Sequence, residues 1–188
     1  MIQDGEILIT KRFGHRSDFR QLWGLVDLMK DLPRNADGIE IGCYDGVSTV
    51  ILSCTCNFLY TVDPLGNTPD WVDRVDDEEV YQSLMIRLEH LTNVQHIRFT
   101  SDDAYGIFVD MNKQFDFVYI DGYHSYDQCY RDIVNYWNLI KVGGFICGHD
   151  YANPYTIGVT RAVNDLLGTP DKLYLDWSWL HKKNREIL

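Results

Sequence analysis

Glu40 to Gly46 reads E-I-G-C-Y-D-G, an acid followed by a glycine, three residues and a second glycine. Glycine permits a tight turn at φ > 0 and lets a ligand lie against bare backbone. A dinucleotide-binding turn wants G-x-G-x-x-G, whose middle glycine leaves space for a pyrophosphate. Tyr44 holds that middle slot here. The turn therefore suits a ligand that needs close backbone approach and carries no diphosphate, such as a nucleoside joined to an amino acid. Roughly 20 residues on, Asp63 closes the run L-Y-T-V-D, and a carboxylate there can accept hydrogen bonds from both hydroxyls of a ribose. Ser101, Asp102, Asp103 and Ala104 follow a third apolar run and suit either an adenine amino group or the N-terminus of a helix. The most informative segment lies between Phe117 and Tyr151, in I-D-G-Y-H-S-Y-D and G-H-D-Y.

These residues act together only if the chain brings them to one edge, and its patterning says how. Strands are expected at Gly38–Gly42, Leu59–Asp63, Val94–Thr100, Phe115–Asp121 and Phe145–Gly148. Helices are expected from Ser17 to about Leu32, over Val47–Cys56, from about Asp76 with a buried stripe of Val80, Leu84, Leu88 and Leu91, and over Gly158–Leu167. Ser125 and Gln128 read as a capping box for a further helix with a stripe of Tyr126, Tyr130, Ile133, Trp137 and Ile140. Leu173–Lys183 has room for two more strands. Strands alternating with helices imply a parallel sheet covered on both faces, with right-handed crossovers. Ligands in such sheets bind at the carboxyl edge, near the point where the strand order reverses.

The 188 residues are expected to form one domain, with 1–35 as an N-terminal extension and leading helix and 36–188 as the core. Hydrophobic residues make up 45%, which excludes a disordered chain. A formal charge of −11 repels phosphate backbones and anionic headgroups, so neither nucleic acid nor a membrane surface is an expected partner. The one basic cluster, Lys182, Lys183 and Arg185, reads as a solvated tail. Five cysteines with no C-x-x-C pair suggest neither a disulfide framework nor a zinc site, and with no signal segment the expected home is the cytoplasm.

Taken together, E-I-G-x-x-x-G-x-S, T-V-D-P, I-D-G-x-H-x-Y and G-G-x-I-x-G-H-D-Y resemble the class I methyltransferases that use S-adenosylmethionine (SAM), specifically the small group similar to macrocin-type sugar O-methyltransferases. The likeness runs from about Ile39 to Lys183. It implies a three-layer Rossmann-like α/β fold with a mostly parallel sheet and a C-terminal antiparallel strand. By the same resemblance Glu40, Gly42, Tyr44 and Gly46 line the methionine and ribose part of SAM, Asp63 holds the ribose, and Asp102 faces the adenine. Asp121 and His124 border the methyl-transfer site, and Asp150 completes a carboxylate pair with Asp121.

In metal-dependent relatives, acids at these two strand ends hold a magnesium ion that orients the acceptor oxygens. Those relatives usually add an Asp or Asn beside the second acid, where this chain has Tyr151. Oxygen ligands on adjacent strand ends suit hard cations such as Mg²⁺; alternatively, Asp121 contacts substrate or cofactor directly while Asp150 caps the following loop. An imidazole near pKa 6.5 can take a proton from a hydroxyl as the methyl moves, which makes His124 the preferred base and His149 its rival. Tyr123 and Tyr151, with His149, are the expected acceptor neighbours. The resemblance implies a hydroxyl on a small molecule or sugar as acceptor and is compatible with a homodimer. Two rival readings are an NAD-dependent oxidoreductase, against which Tyr44 counts, and a non-catalytic SAM-binding partner protein.

Overall fold

The structure, a computed structural model, describes residues 22–66 and 77–184. Among these the apolar runs form strands β1 (Ala36–Ile41), β2 (Cys56–Val62), β3 (Val94–Ile97), β4 (Phe115–Ile120), β5 (Ile140–Gly148), β6 (Lys172–Leu173) and β7 (Trp179–Lys182). They make one sheet in the order β3-β2-β1-β4-β5-β7-β6. β1 to β5 pair in parallel, and β7 runs antiparallel to both β5 and β6. Helices α1 (Trp23–Asp31), α2 (Val47–Ser53), α3 (Asp77–Leu88), α4 (Ser101–Asp110), α5 (Tyr126–Trp137) and α6 (Ile157–Leu167) connect and cover them. This is the expected three-layer architecture with its C-terminal antiparallel strand.

Each central strand is buried on both faces because alternate side chains serve opposite layers. Along β4, Val118 and Ile120 pack with Ala104 and Phe108 of α4, Ile133 of α5 and Val163 of α6. Phe117 and Tyr119 point the other way and pack with Leu25 and Leu28 of α1 and Ile51 and Leu52 of α2. A third cluster, Cys43, Leu65, Val80, Leu84 and Leu88, seats α3 against the loops after β1 and β2. The expected stripe of α3 is buried at Val80, Leu84 and Leu88.

Several boundaries differ from expectation for local reasons. β5 begins at Ile140, which pairs with Phe115 instead of extending the helical stripe. β2 begins at Cys56, directly after α2, and Asn93 Nδ2 ties the junction by donating to the carbonyls of Ser53 and Cys56. The face of α5 is rotated: Cys129, Asp132, Ile133, Tyr136 and Trp137 are buried, while Tyr126 and Tyr130 are only half-buried. Lys183 is not a solvated tail residue. It is 4% exposed, and its Nζ donates to the carbonyls of Trp137 at 3.0 Å and Ile140 at 3.1 Å, closing the C-terminal end of α5. The expected Ser17 cap, the Asp76 helix start, Arg185 and most of the loop after Pro64 lie outside the described residues.

Candidate functional site

β1 and β4 are neighbours whose chains leave in opposite directions, one toward β2 and the other toward β5, so their carboxyl ends part. A cavity of about 440 Å³ opens there, a size usual for small-molecule sites. Gly42 adopts φ +85° at its floor, and an added Cβ would lie 2.2 Å from the carbonyl oxygen of Asp121. Only glycine lets the two strand ends approach this closely. Tyr44 follows at φ +48°. The turn is held from the next strand: Asp63 Oδ2 accepts from Cys43 N at 3.0 Å and Tyr44 N at 2.9 Å, while Oδ1 accepts from Leu65 N at 2.8 Å. Three of the roughly four acceptor positions of a carboxylate are thereby used by the protein's own backbone.

Glu40 does not reach the cavity wall. It is fully buried, and the hydroxyls of Ser48 and Thr49 at 2.5 Å and of Thr61 at 2.9 Å donate to it. Burial pushes its pKa up and outweighs these hydroxyls, leaving it at about 7. Gly46 is also away from the wall; it precedes α2 in a left-handed conformation and packs on Leu84. Asp102 turns outward on α4, where Arg131 Nε lies 3.5 Å away and Asn135 Nδ2 donates to it at 3.4 Å. Thr100, not the residues after it, caps α4 by accepting from Asp103 N at 3.2 Å.

Asp121, Tyr123, His124 and His149 do line the cavity, on the side of β4 and β5. Behind them sits Asp150, in the left-handed region at φ +66°. Asp150 Oδ2 lies 3.0 Å from both His124 Nε2 and His149 Nδ1, and Oδ1 accepts from Asn153 Nδ2 and, at 3.1 Å, from Thr156 Oγ1. Asp121 Oδ1 is 3.7 Å from His124 Nε2 and 3.9 Å from His149 Nδ1. Burial would lower the pKa of His124, but hydrogen bonds and charge from Asp121 and Asp150 outweigh it and raise it to about 10. The same contest, with the charge of Asp121 leading, raises His149 to about 9. Burial would raise Asp150, yet the two imidazoles hold it well below the usual carboxylate range. The shared contacts thus favour the protonated form of both imidazoles and the ionised form of Asp150. Tyr151 points away, its hydroxyl donating to Asn164 Oδ1 at 2.9 Å.

The cavity wall also contains residues that the sequence reading did not assign to the site, including Ser48, Tyr119, Gln128, Asp132 and Asp176. Asp132 had a legible signal, since it shares the helical phase of Cys129, Ile133 and Tyr136. Asp176, alone in an extended stretch, had none.

A family model described as a methyltransferase domain matches residues 39–151, from β1 through both halves of the aspartate and histidine cluster. The chain belongs to this methyltransferase domain family. The methyltransferase domain is 28% identical over 135 residues to uncharacterized protein R132 of Acanthamoeba polyphaga mimivirus, a match covering 69% of this chain and 58% of that one. It thus spans little more than half the length of this curated relative. Among solved structures it superimposes on CalS11, a TDP-rhamnose 3'-O-methyltransferase of calicheamicin biosynthesis, with a TM-score of 0.65 at 12% identity, covering 91% of this chain and 82% of that one. An O-methyltransferase from Bacillus cereus in complex with S-adenosylhomocysteine (SAH) gives 0.57 at 16% identity, with 91% and 82% covered. These likenesses show the Rossmann-like methyltransferase fold.

Proposed function

We propose that this methyltransferase domain binds SAM in the crevice between β1 and β4 and methylates a hydroxyl on a small molecule, with a sugar as one acceptor class. One observation carries the reading: a single cavity joins Gly42, Tyr44 and Asp63 at one side to Asp121, His124 and His149 at the other. The likeness to CalS11 and to the Bacillus cereus protein, both O-methyltransferases, supports oxygen as the acceptor atom.

SAM bound there would supply a methyl group on a sulfonium, an electrophile that needs no further activation. The residues of the chain position and deprotonate. The bare backbone of the Gly42 turn permits close approach of the ligand, and Asp63 keeps that turn in shape. His124 is the proposed base; because its pKa is raised, it must release its own proton to the open cavity before accepting one from the acceptor.

Asp121, His124 and Asp150 each offer one ligand atom, and these atoms lie within 4.8 Å of one another. The donor set, two carboxylates and an imidazole, fits a divalent cation such as Mg²⁺, which would acidify a bound hydroxyl. With that cation His124 serves as a ligand, and His149 is the remaining imidazole at the cavity wall.

Calorimetric titration with SAM, SAH and NAD tests the cofactor: SAM and SAH bind and NAD does not, and the reverse result would discard the proposal. SAH release on a panel of glycosides and phenols, with and without chelator, then tests the rest. His124→Ala lowers turnover by roughly 10²-fold or more with SAH binding retained; loss of activity in chelator, restored by Mg²⁺, assigns the cation.

A further inference from the structure

The cavity wall also holds a carboxylate that the methyl-transfer chemistry does not use. Asp132 sits on the inward face of α5, is 1% exposed, and still forms part of the cavity wall. Its Oδ1 is fully engaged, accepting from Ser101 Oγ at 2.6 Å and from Gln128 Nε2 at 3.0 Å. Its Oδ2 has no hydrogen-bond partner among the described residues, and it lies 3.9 Å from where a Cβ on Gly122 would stand. This oxygen is open to the cavity, where a ligand can supply the donor that the fold does not.

The surroundings define that donor. Ser101 Oγ is committed to Asp132, and Gln128 Nε2 reaches both Ser101 Oγ and Asp132 Oδ1, so the three side chains form one preorganised unit. Tyr136 braces it by donating to the carbonyl of Ser101 at 2.8 Å. The unit stands where the start of α4 meets α5, and Asp132 Oδ2 comes within 3.9 Å of where a Cβ on Gly122, the residue after Asp121, would stand. Asp63 and the Gly42 turn lie between β1 and β2. A nucleoside seated on that turn and lying along the wall past Gly122 would bring its base within reach of Asp132 Oδ2.

We infer that Asp132 Oδ2 accepts a hydrogen bond from the exocyclic amino group of the adenine, so that this helix residue, and not Asp102, selects adenine over 6-oxopurines. The inference rests on the proposed SAM reading. A 6-oxo base presents an acceptor where adenine presents a donor, which sets oxygen against oxygen in a buried place. Burial raises the pKa of Asp132 to about 6, against the opposing hydrogen bonds of Ser101 and Gln128.

The test is calorimetric titration of the full chain with SAH and with S-inosylhomocysteine, its 6-oxo analogue. The expected result is a preference for SAH of at least about tenfold, reduced to less than about threefold in Asp132→Asn, whose amide can face either base. Asp102→Asn retains the preference, because it keeps the Asp132 carboxylate. Equal affinity of the wild type for the two ligands overturns the inference and leaves SAM binding standing. An undiminished preference in Asp132→Asn, or its loss in Asp102→Asn, also overturns it. No binding of either ligand removes the cofactor reading itself.

Discussion

Asp63 Oδ2 accepts the backbone N–H of Tyr44 at 2.9 Å, bonding across 19 residues of chain to the turn that opens the crevice. Tyr44 is a non-glycine residue at φ +48°, a conformation that holds only where its surroundings impose it. Cys43 N donates to the same oxygen at 3.0 Å, so one carboxylate oxygen fixes two successive amides. The acid expected to hold a ribose therefore first builds the floor on which a ribose would rest.

Removing that carboxylate should damage fold and site together. Asp63→Ala orphans the amides of Cys43, Tyr44 and Leu65 and is expected to cost about 3 kcal/mol of stability. Asp63→Asn keeps one acceptor oxygen and should fall between Ala and wild type. Thermal melts and SAH titration on the three proteins should give the same order in both readouts; an Ala variant with wild-type melting would refute the bracing role.

Glu40 predicts a pH dependence of stability. Its pKa is about 7 in the folded protein against an ordinary 4.5. Between those values the folded state keeps a proton that the unfolded state has lost, so stability falls as pH rises through this window and stays reduced above it. The loss amounts to roughly 3 kcal/mol. Glu40→Gln carries no such proton. Its melting temperature relative to wild type should therefore climb from pH 5 to pH 8, and a constant difference would contradict the buried, protonated state.

At the cavity wall, Asp176 Oδ2 accepts from Leu25 N at 2.7 Å and Oδ1 from Ser178 N at 3.1 Å, so the stretch before β7 caps the first turn of α1. Gly24 makes room for it: an added Cβ would stand 1.7 Å from Asp176 Oδ1. Glycine to alanine inside a helix ordinarily stabilises by about 1 kcal/mol. Here Gly24→Ala should destabilise instead and speed amide exchange at Leu25 and Leu28; unchanged protection of both amides would contradict the packing.

Lys183 should matter to stability and not to ligand. Lys183→Met removes the donor to the carbonyls of Trp137 and Ile140 and should cost about 2 kcal/mol while SAH affinity stays within error. A solvated lysine would give no change in melting temperature at all.

Much of the architecture was legible because alternating runs and helical stripes record which faces are buried, independent of partners. Five parallel strands and the crevice side followed from that record, the antiparallel end followed from the family resemblance, and Gly42, Asp63, Asp121, His124 and His149 do line one cavity. The errors fell where one dimension leaves a side chain free to turn either way. Lys183 looked solvated until α5 brought two open carbonyls to its ammonium.

The linear order of residues determined which strand ends carry glycine, carboxylate and imidazole, since a strand's end is a local property of the chain. Tertiary structure alone decided how each group is used. It sealed Glu40 beneath three hydroxyls, turned Asp102 outward and Asp132 inward, and set two imidazoles 3.0 Å from one carboxylate oxygen. Orientation and protonation depend on distances between elements far apart in sequence, because charge, burial and hydrogen bonding act through space.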